Sequence, residues 1–232
     1  MPKTFRSMET MEGRVRNSVS KNGHRLLLVG LVCVVAASLY IFPPFHIVSL
    51  EKAKRKIEND RFSPKEFVES LWNERLLKSL DQAVDAGTLL SAIAQDPQTA
   101  KRQYGRQLGL SKTYYYFVKG QARVVSIKPD AVALSMSAAG SKSDLVLVIA
   151  NISGNGVRDG TGLLNVSDFP NSQEFNQISA ELNRHVETII VPEFRQKVFV
   201  GAIVAFAGCA EIEDEGSDLR PLRLIPVQAH IQ

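Results

Sequence analysis

The sequence predicts an α+β protein with a single N-terminal transmembrane helix, a short helical segment, and a five-stranded antiparallel barrel with a helix between strands three and four. Three observations support this prediction: an uncharged run near the N-terminus, strand-like hydrophobic spacing after Gly109, and a return to helical spacing in residues 172–190. Of the 232 residues, 44% are apolar and 22% are charged, which excludes a wholly disordered chain. Two cysteines are too few for a disulfide framework or a four-thiolate zinc site.

The uncharged run covers residues 26–48. Before it, residues 1–25 carry six basic and two acidic residues, whereas the part after residue 48 carries equal numbers of each. The first seventeen residues of the run would span roughly 25 Å as a helix, close to the ~30 Å hydrocarbon core of a bilayer. Because basic residues flanking a membrane helix stay on the cytoplasmic side, we predict a cytoplasmic tail (1–25), an inner-membrane signal-anchor (26–48) and an exported C-terminal part.

Two alternatives to the signal-anchor stay open. Ala36 and Ser38 are small residues at the spacing that a cleaved secretory signal requires, with the cut after Ser38. Acylation of Cys33 would make the protein a lipoprotein, but the bulky pair Leu31-Val32 precedes that cysteine. The apolar run continues beyond Ser38, and this favours the uncleaved anchor.

Residues 49–112 are predicted to form a charged stalk followed by a helical segment. The order Ser63-Pro64-Lys65-Glu66 marks a helix start, with an N-cap serine, a proline in the first turn and a glutamate three residues after the cap. Apolar residues then repeat every four positions between Val68 and Val84. Trp72 lies in this stripe, so we expect it in the core rather than stacked on a ligand. A shorter helix is predicted from Pro97 to Tyr104.

Residues 113–232 are predicted to form an OB-like β-barrel domain. Strand-like runs occur at 114–118, 122–127, 132–136, 145–150, 200–212 and 225–231. The first two runs, 114–118 and 122–127, together count as one strand. The predicted order is then three strands, a helix and two strands, which is the order of the OB-fold, a five-stranded Greek-key barrel. An open α+β sheet has the same order. The glycines at 201 and 208 suit a sharply bent strand and favour the barrel.

Several stretches resemble a bacterial family known as domain of unknown function family 2291. They are FSPKEFVESLWNERLLKSL, LLSAIAQDPQTAKRQYG, FVKGQARVVSI, GVRDGTG, NVSDFPNSQEF, VGAIVAFAGCAEI and IPVQAHI. The most specific parts are Trp72, the Arg158-Asp159 pair, and the segment from Asp168 to Asn171. Members are predicted periplasmic lipoproteins that are often encoded beside sugar ABC transporters. The resemblance therefore implies a periplasmic location and a link to sugar uptake, but it supplies no reaction.

The chain departs from the family pattern at three places. Phe45 stands where lipoprotein members have the acylated cysteine, so the anchor must be the peptide itself. Ala150-Asn151 stands where Gly-Pro is common, and Asn171-Ser172 stands where Asn-Gln is expected.

The candidate site lies in the glycine-rich stretch 154–162. Its four glycines allow the backbone to approach a ligand closely, although no Gly-Lys-Ser/Thr of a P-loop follows. Arg158 and Asp159 can recognise a polar ligand, or they can tie a long loop to the barrel; both roles stay open. The resemblance to the family adds Asp168 and Asn171 to this pair. The candidate ligand- or partner-binding residues are therefore Arg158, Asp159, Asp168 and Asn171.

No catalytic constellation is visible in the sequence. The five carboxylates between 211 and 218 match no EF-hand loop and predict a solvated hairpin tip. The four histidines are far apart, and Cys209 lies in an apolar strand, as a small buried hydrophobe would. We therefore expect no catalytic residue, no metal and no cofactor. The exported part has no net charge, so nucleic-acid binding is not expected.

The sequence thus predicts a membrane-anchored periplasmic accessory protein that binds a partner protein or a small polar ligand. The resemblance implies subunits of a sugar ABC transporter as partners. A direct carbohydrate-binding module is the alternative, because OB-like barrels bind oligosaccharides. An enzyme of unrecognised type is the third possibility.

Overall fold

The computed structural model describes residues 28–34, residue 38 and residues 62–232. The chain divides into two units, the first ending at Arg61 and the second running from Phe62 to Gln232. The second unit has its own extensive hydrophobic core and contains every strand of the described part of the chain.

In the first unit, residues 28–34 are helical and their side chains are exposed. Within the described residues, no helix is both long enough and apolar enough to cross a bilayer. Most of the predicted signal-anchor (26–48) lies outside the described residues, as do the predicted cytoplasmic tail (1–25) and the stalk residues 49–61.

Helices open the second unit. They are α1 (Pro64–Leu71), a π-helical turn (Trp72–Leu76), a 3₁₀ turn (Leu77–Gln82), α2 (Ala86–Gln95) and α3 (Pro97–Tyr104). Helix α1 starts as predicted, because the Ser63 hydroxyl accepts a hydrogen bond from the Glu66 N–H at 3.4 Å. The predicted bounds of α3 are confirmed. Trp72 is only 3% exposed and packs against His185, with ring centroids 4.3 Å apart, so its predicted place in the core is confirmed.

Seven strands form one sheet. They are β1 (Val84–Asp85), β2 (Arg106–Gln107), β3 (Tyr114–Ile127), β4 (Ala131–Ser135), β5 (Leu145–Val148), β6 (Ile203–Ile212) and β7 (Leu222–Ile231). The five longer strands pair in the order β3-β4-β5-β7-β6, and pairing between β3 and β6 closes the ring into a barrel. The short strands β1 and β2 both pair with β3.

The strand pairing corrects the prediction of a five-stranded antiparallel barrel. The sheet is mixed, because β5 pairs with β7 in parallel, and β1 pairs with β3 in parallel. A closed ring with an odd number of strands cannot alternate in direction throughout, so a closed five-stranded barrel must contain a parallel pair. The two extra strands have two residues each, too few to leave a periodic pattern in the sequence.

The connection between β5 and β6 is helical, as the sequence predicts. It contains α4 (Gly156–Gly160), a 3₁₀ turn (Val166–Asp168), α5 (Ser172–His185), a π-helical turn (Val186–Ile190) and α6 (Val191–Lys197). A one-turn helix, α7 (Glu215–Asp218), lies between β6 and β7. The apolar stripe of α5, including Ile178 and Leu182, joins the same buried core as Leu134 and Leu147 of the barrel.

One of the two glycines expected at a bend lies in strand β6. At Gly208 the register between β6 and β7 shifts, and a Cβ there would lie 2.7 Å from the carbonyl oxygen of Ile225. Only glycine allows the two backbones to come this close. Gly201 lies in the turn before β6, with a φ of +96°.

Candidate functional site

Arg158 and Asp159 form a buried ion pair. The Arg158 Nε donates to Asp159 Oδ1 at 2.6 Å, and Nη2 donates to Oδ2 at 2.9 Å. Arg158 Nη1 also donates to the Phe175 carbonyl oxygen at 3.3 Å and to Asn176 Oδ1 at 3.1 Å. Its guanidinium carbon lies 3.9 Å from the centroid of the Phe175 ring. These contacts fix α4, which carries the pair, to the first turns of α5.

The glycine-rich stretch is a packed element rather than an open loop. Gly156 to Gly160 form the one-turn helix α4, and all five of its residues are buried. A Cβ on Gly160 would lie 3.0 Å from the Cβ of Cys209, so glycine lets α4 approach β6 directly. The glycines therefore serve close packing against the barrel at this point.

Asp168 and Asn171 are exposed and cap local turns. An Asp168 carboxylate oxygen accepts from the Asn165 N–H at 3.3 Å in the capping box of the 3₁₀ turn. Asn171 is the N-cap of α5, and its Oδ1 accepts from the Glu174 N–H at 2.9 Å. Their hydrogen bonds are local, and within residues 62–232 none joins them to Arg158 or its partner carboxylate.

A cavity of about 340 Å³ lies beside the end of β6 and the start of β7. Its lining is Val148, Asn151, Ile152, Ser153, Gly154, Cys209, Glu211, Glu213, Asp218, Arg223 and Ile225. None of the four predicted site residues belongs to this lining. The prediction that Glu211 belongs to a solvated tip is wrong, because β6 continues through Ile212 and carries Glu211 within the strand.

Glu211 is the half-buried carboxylate of this cavity. Its Oε2 accepts from the Asn155 N–H at 3.0 Å, and its Oε1 accepts from the Tyr115 hydroxyl at 3.3 Å. Gly154 has a φ of +84°, and any Cβ there would collide with the Glu211 carboxylate. Burial raises the pKa of Glu211, and the nearby charges of Glu213 and Asp159 raise it further, although the two hydrogen bonds oppose the shift.

Tyr115 connects the cavity to the buried ion pair. Its hydroxyl donates to Glu211 and lies close to Asp159; burial and these two carboxylates raise the pKa of Tyr115, so that it stays protonated. A polar chain therefore runs from Arg158 through Asp159 and Tyr115 to Glu211. Arg158 and Asp159 do not line the cavity, and Tyr115 lies between Asp159 and Glu211.

Helix α5 holds the segment that walls the cavity, residues 151–155. Two side chains of α5 and Glu187 of the π-helical turn that follows it are spaced four residues apart on one face of the continuous helix, and all three bond to this segment. Ser179 Oγ donates to Asn155 Oδ1 at 2.8 Å, Asn183 Nδ2 donates to the Gly154 oxygen at 3.0 Å, and Glu187 Oε1 accepts from the Ile152 N–H at 2.8 Å. The segment is thus fixed by α5 on one side and by Glu211 on the other.

The sequence analysis missed Glu211, Tyr115 and the polar face of α5. One signal for Glu211 exists, since a carboxylate between Ala210 and Ile212 interrupts an otherwise apolar strand. The contact between Glu211 and Tyr115 joins residues 96 positions apart and leaves no trace in local spacing.

Comparison with known proteins supports the fold and the family resemblance. Residues 32–230 match the family model described as predicted periplasmic lipoprotein, DUF2291. The chain is also similar to the crystal structure of an OB-fold protein from Thermotoga maritima, with 26% identity and a TM-score of 0.67 over 75% of this chain and 100% of that one. No curated protein matches the chain. The predicted OB-like architecture is therefore confirmed.

Replacing Arg158 with alanine should strongly destabilise the second unit. The substitution leaves Asp159 buried without its partner, which typically costs about 3–5 kcal/mol of unfolding free energy. Urea unfolding of the fragment 62–232 measures this loss. The control is Arg184→Ala, because Arg184 pairs with Glu181 on the surface and is about half exposed, so its loss should be much smaller than that of Arg158→Ala. Equal losses in the two variants would contradict the structural role.

Glu211→Gln should change how stability depends on pH. The folded-state pKa of Glu211 is raised above the ordinary value of 4.5, so the folded protein holds this proton more tightly than the unfolded chain does. The resulting stabilisation is full below pH 4.5 and is lost as pH rises through the raised pKa. The wild-type fragment should therefore lose stability relative to Glu211→Gln as pH increases. A constant or growing wild-type advantage in urea unfolding across this range would refute the expected shift.

Proposed function

The chain belongs to the DUF2291 family of predicted periplasmic lipoproteins, and we propose that it is a membrane-anchored accessory protein that binds a small hydroxyl-rich ligand beside Glu211. Family membership supports a periplasmic, membrane-associated location. The proposed anchor is the apolar segment 26–48, since Phe45 replaces the family's acylated cysteine. The observation that supports ligand binding is the half-buried Glu211 carboxylate, which Tyr115 and Asn155 hold at the cavity wall.

The charges around the cavity favour a neutral, hydroxyl-rich ligand over an anion. Glu211, Glu213 and Asp218 contribute carboxylates, and Arg223 contributes one guanidinium. Carboxylate oxygens accept hydrogen bonds from hydroxyl groups, whereas they repel phosphates and other carboxylates. The volume of about 340 Å³ lies within the ~300–1,000 Å³ range of small-molecule sites.

The apolar part of the lining suits a sugar. Val148, Ile152 and Ile225 form a hydrophobic wall on which the C–H face of a sugar ring can pack. The resemblance to a family often encoded beside sugar transporters favours the same ligand class. A monosaccharide is therefore the specific form of the proposal, and it includes the carbohydrate-binding alternative.

We propose binding rather than catalysis at this cavity. Cys209 lines it, but the residue is completely buried and burial raises the pKa of its thiol, which disfavours the reactive thiolate. Asp218 accepts hydrogen bonds from the backbone N–H groups of Glu213 and Asp214, so it serves to shape the turn around α7.

A neutral sugar should bind the full chain in detergent and raise its melting temperature. A panel of aldoses and sugar phosphates is tested by calorimetry and thermal shift. Glu211→Gln should weaken binding of the best aldose by roughly tenfold, because a charge-assisted hydrogen bond becomes a neutral one. Glu74→Gln is the matched control, since Glu74 is exposed and lies outside the cavity lining. Tighter binding of sugar phosphates than of aldoses would contradict the charge argument, and no aldose binding would contradict the proposed ligand.

A transporter partner makes a separate prediction. After mild cross-linking of membranes, a chain tagged at its C-terminus should recover subunits of a sugar ABC transporter, and mass spectrometry identifies them. A chain recovered alone, yet stabilised by sugars, would instead indicate a carbohydrate-binding module that acts without a transporter.

A further inference from the structure

We propose that a second surface of the protein, the barrel tip, docks on an anionic lipid bilayer. The barrel tip consists of Ile127, Phe199, Val200 and Ile203. It lies at the start of β6, whereas the Glu211 cavity lies near the end of that strand. This inference goes beyond ligand binding and concerns how the folded unit sits at the membrane.

The tip exposes four large apolar side chains together. Phe199 and Val200 are 59% and 60% exposed, and Ile127 and Ile203 are 41% and 39% exposed. Backbone hydrogen bonds bring the turn and strand β3 together, because the Gly201 N–H donates to the Val124 oxygen and the Val124 N–H donates to the Ala202 oxygen, both at 2.9 Å. The exposed side chains therefore belong to one end of the barrel.

The turn holds Phe199 and Val200 in a fixed position. The Ala202 N–H donates to the Phe199 oxygen at 3.2 Å, and Gly201 adopts a φ of +96°, which favours glycine. Two adjacent apolar side chains at a tight turn contribute little to the core, yet their exposure to water is unfavourable. A surface that buries them shallowly would remove this cost.

The charges beside the tip suit anionic headgroups. Lys128, Arg195 and Lys197 lie near it and outnumber the nearby carboxylates of Asp130 and Glu193, of which Glu193 pairs with Lys197 at 2.9 Å. Within the described residues, Lys128 and Arg195 form no ion pair, and Arg195 donates to the Pro129 carbonyl oxygen. Basic groups that flank exposed aromatic and aliphatic side chains are typical of interfacial membrane binding.

The size of the tip favours a bilayer over a second copy of the chain as the partner that covers it. Its four side chains expose on the order of 400 Å². A stable protein interface buries about 800 Å² on each partner, so the tip is too small to hold a dimer. Shallow insertion, about 5–10 Å into the headgroup region, requires only a few such side chains.

The segment before the second unit is long enough to allow this contact. From Ser172 to Lys197 the chain is continuously helical, a length of roughly 39 Å that ends beside the tip. Phe62, where the second unit begins, packs against Phe169 near the start of this helix. Residues 49–61 can extend to about 45 Å, so the tip can reach the bilayer in which residues 26–48 are proposed to lie.

Vesicle sedimentation of the fragment 62–232 tests the proposal without the anchor. This fragment is a compact unit with its own core. It should sediment with vesicles that contain phosphatidylglycerol, and less with pure phosphatidylcholine. The double variant Phe199→Ser/Val200→Ser should bind roughly tenfold more weakly. Val166→Ser is the matched control, because Val166 is 50% exposed but lies before α5, and its binding should equal that of the wild type.

Lys128→Gln separates the electrostatic contribution from the apolar one, because Lys128 is exposed and, within residues 62–232, forms no ion pair. It should reduce the preference for phosphatidylglycerol while leaving the melting temperature unchanged. The proposal is overturned if the wild-type fragment does not sediment with anionic vesicles, or if the double variant binds as well as Val166→Ser. It is equally overturned if light scattering shows a dimer that the double variant abolishes, since the tip would then be an interface between copies.

Discussion

Removing the charges of Arg158 and Asp159 from water costs several kcal/mol per ion unless both are fully hydrogen-bonded, and this requirement organises the structure around them. Asp159 accepts two direct hydrogen bonds from Arg158, and Arg158 Nη1 donates to Phe175 and Asn176 of α5. Because Arg158 bonds to α5 and Asp159 lies beside Tyr115 of the barrel, the full set of contacts requires α4 to lie against both. The position of α4 therefore depends on the hydrogen bonds of Arg158 and Asp159 as much as on the apolar contacts of the helix.

The same constraint extends from the ion pair to the Glu211 cavity. Asp159 lies beside the Tyr115 hydroxyl, which donates to Glu211, and Glu211 in turn accepts from the N–H of Asn155. Helix α5 bonds to Arg158 near its start and holds the 151–155 segment through Ser179 and Asn183, and Glu187 of the following π-helical turn adds a third contact. The same helix thus contacts Arg158, which lies outside the cavity lining, and the segment 151–155, which forms the cavity wall. The position of Glu211 therefore depends on residues that do not line the cavity, such as Tyr115.

Local chemistry made part of this arrangement predictable. The start of α1 at Ser63, the bounds of α3 from Pro97 to Tyr104 and the place of Trp72 in the core depend on neighbours a few residues away or on helical spacing. The number and order of the long strands followed from periodicity in the same way. The parallel pairing of β5 with β7 did not, because it is set by barrel closure and not by either strand's own pattern.

Strand β6 connects the two surfaces proposed to carry function. Ile203 begins the strand at the barrel tip, and Glu211 lies eight residues further along, a separation of roughly 27 Å for an extended strand. A bilayer that receives the tip would therefore leave the mouth of the cavity in the aqueous periplasm. Because the Gly208 bend holds β6 against β7 between these two points, the distance is set by the barrel itself. Membrane docking and ligand binding can consequently occur at the same time on one rigid unit.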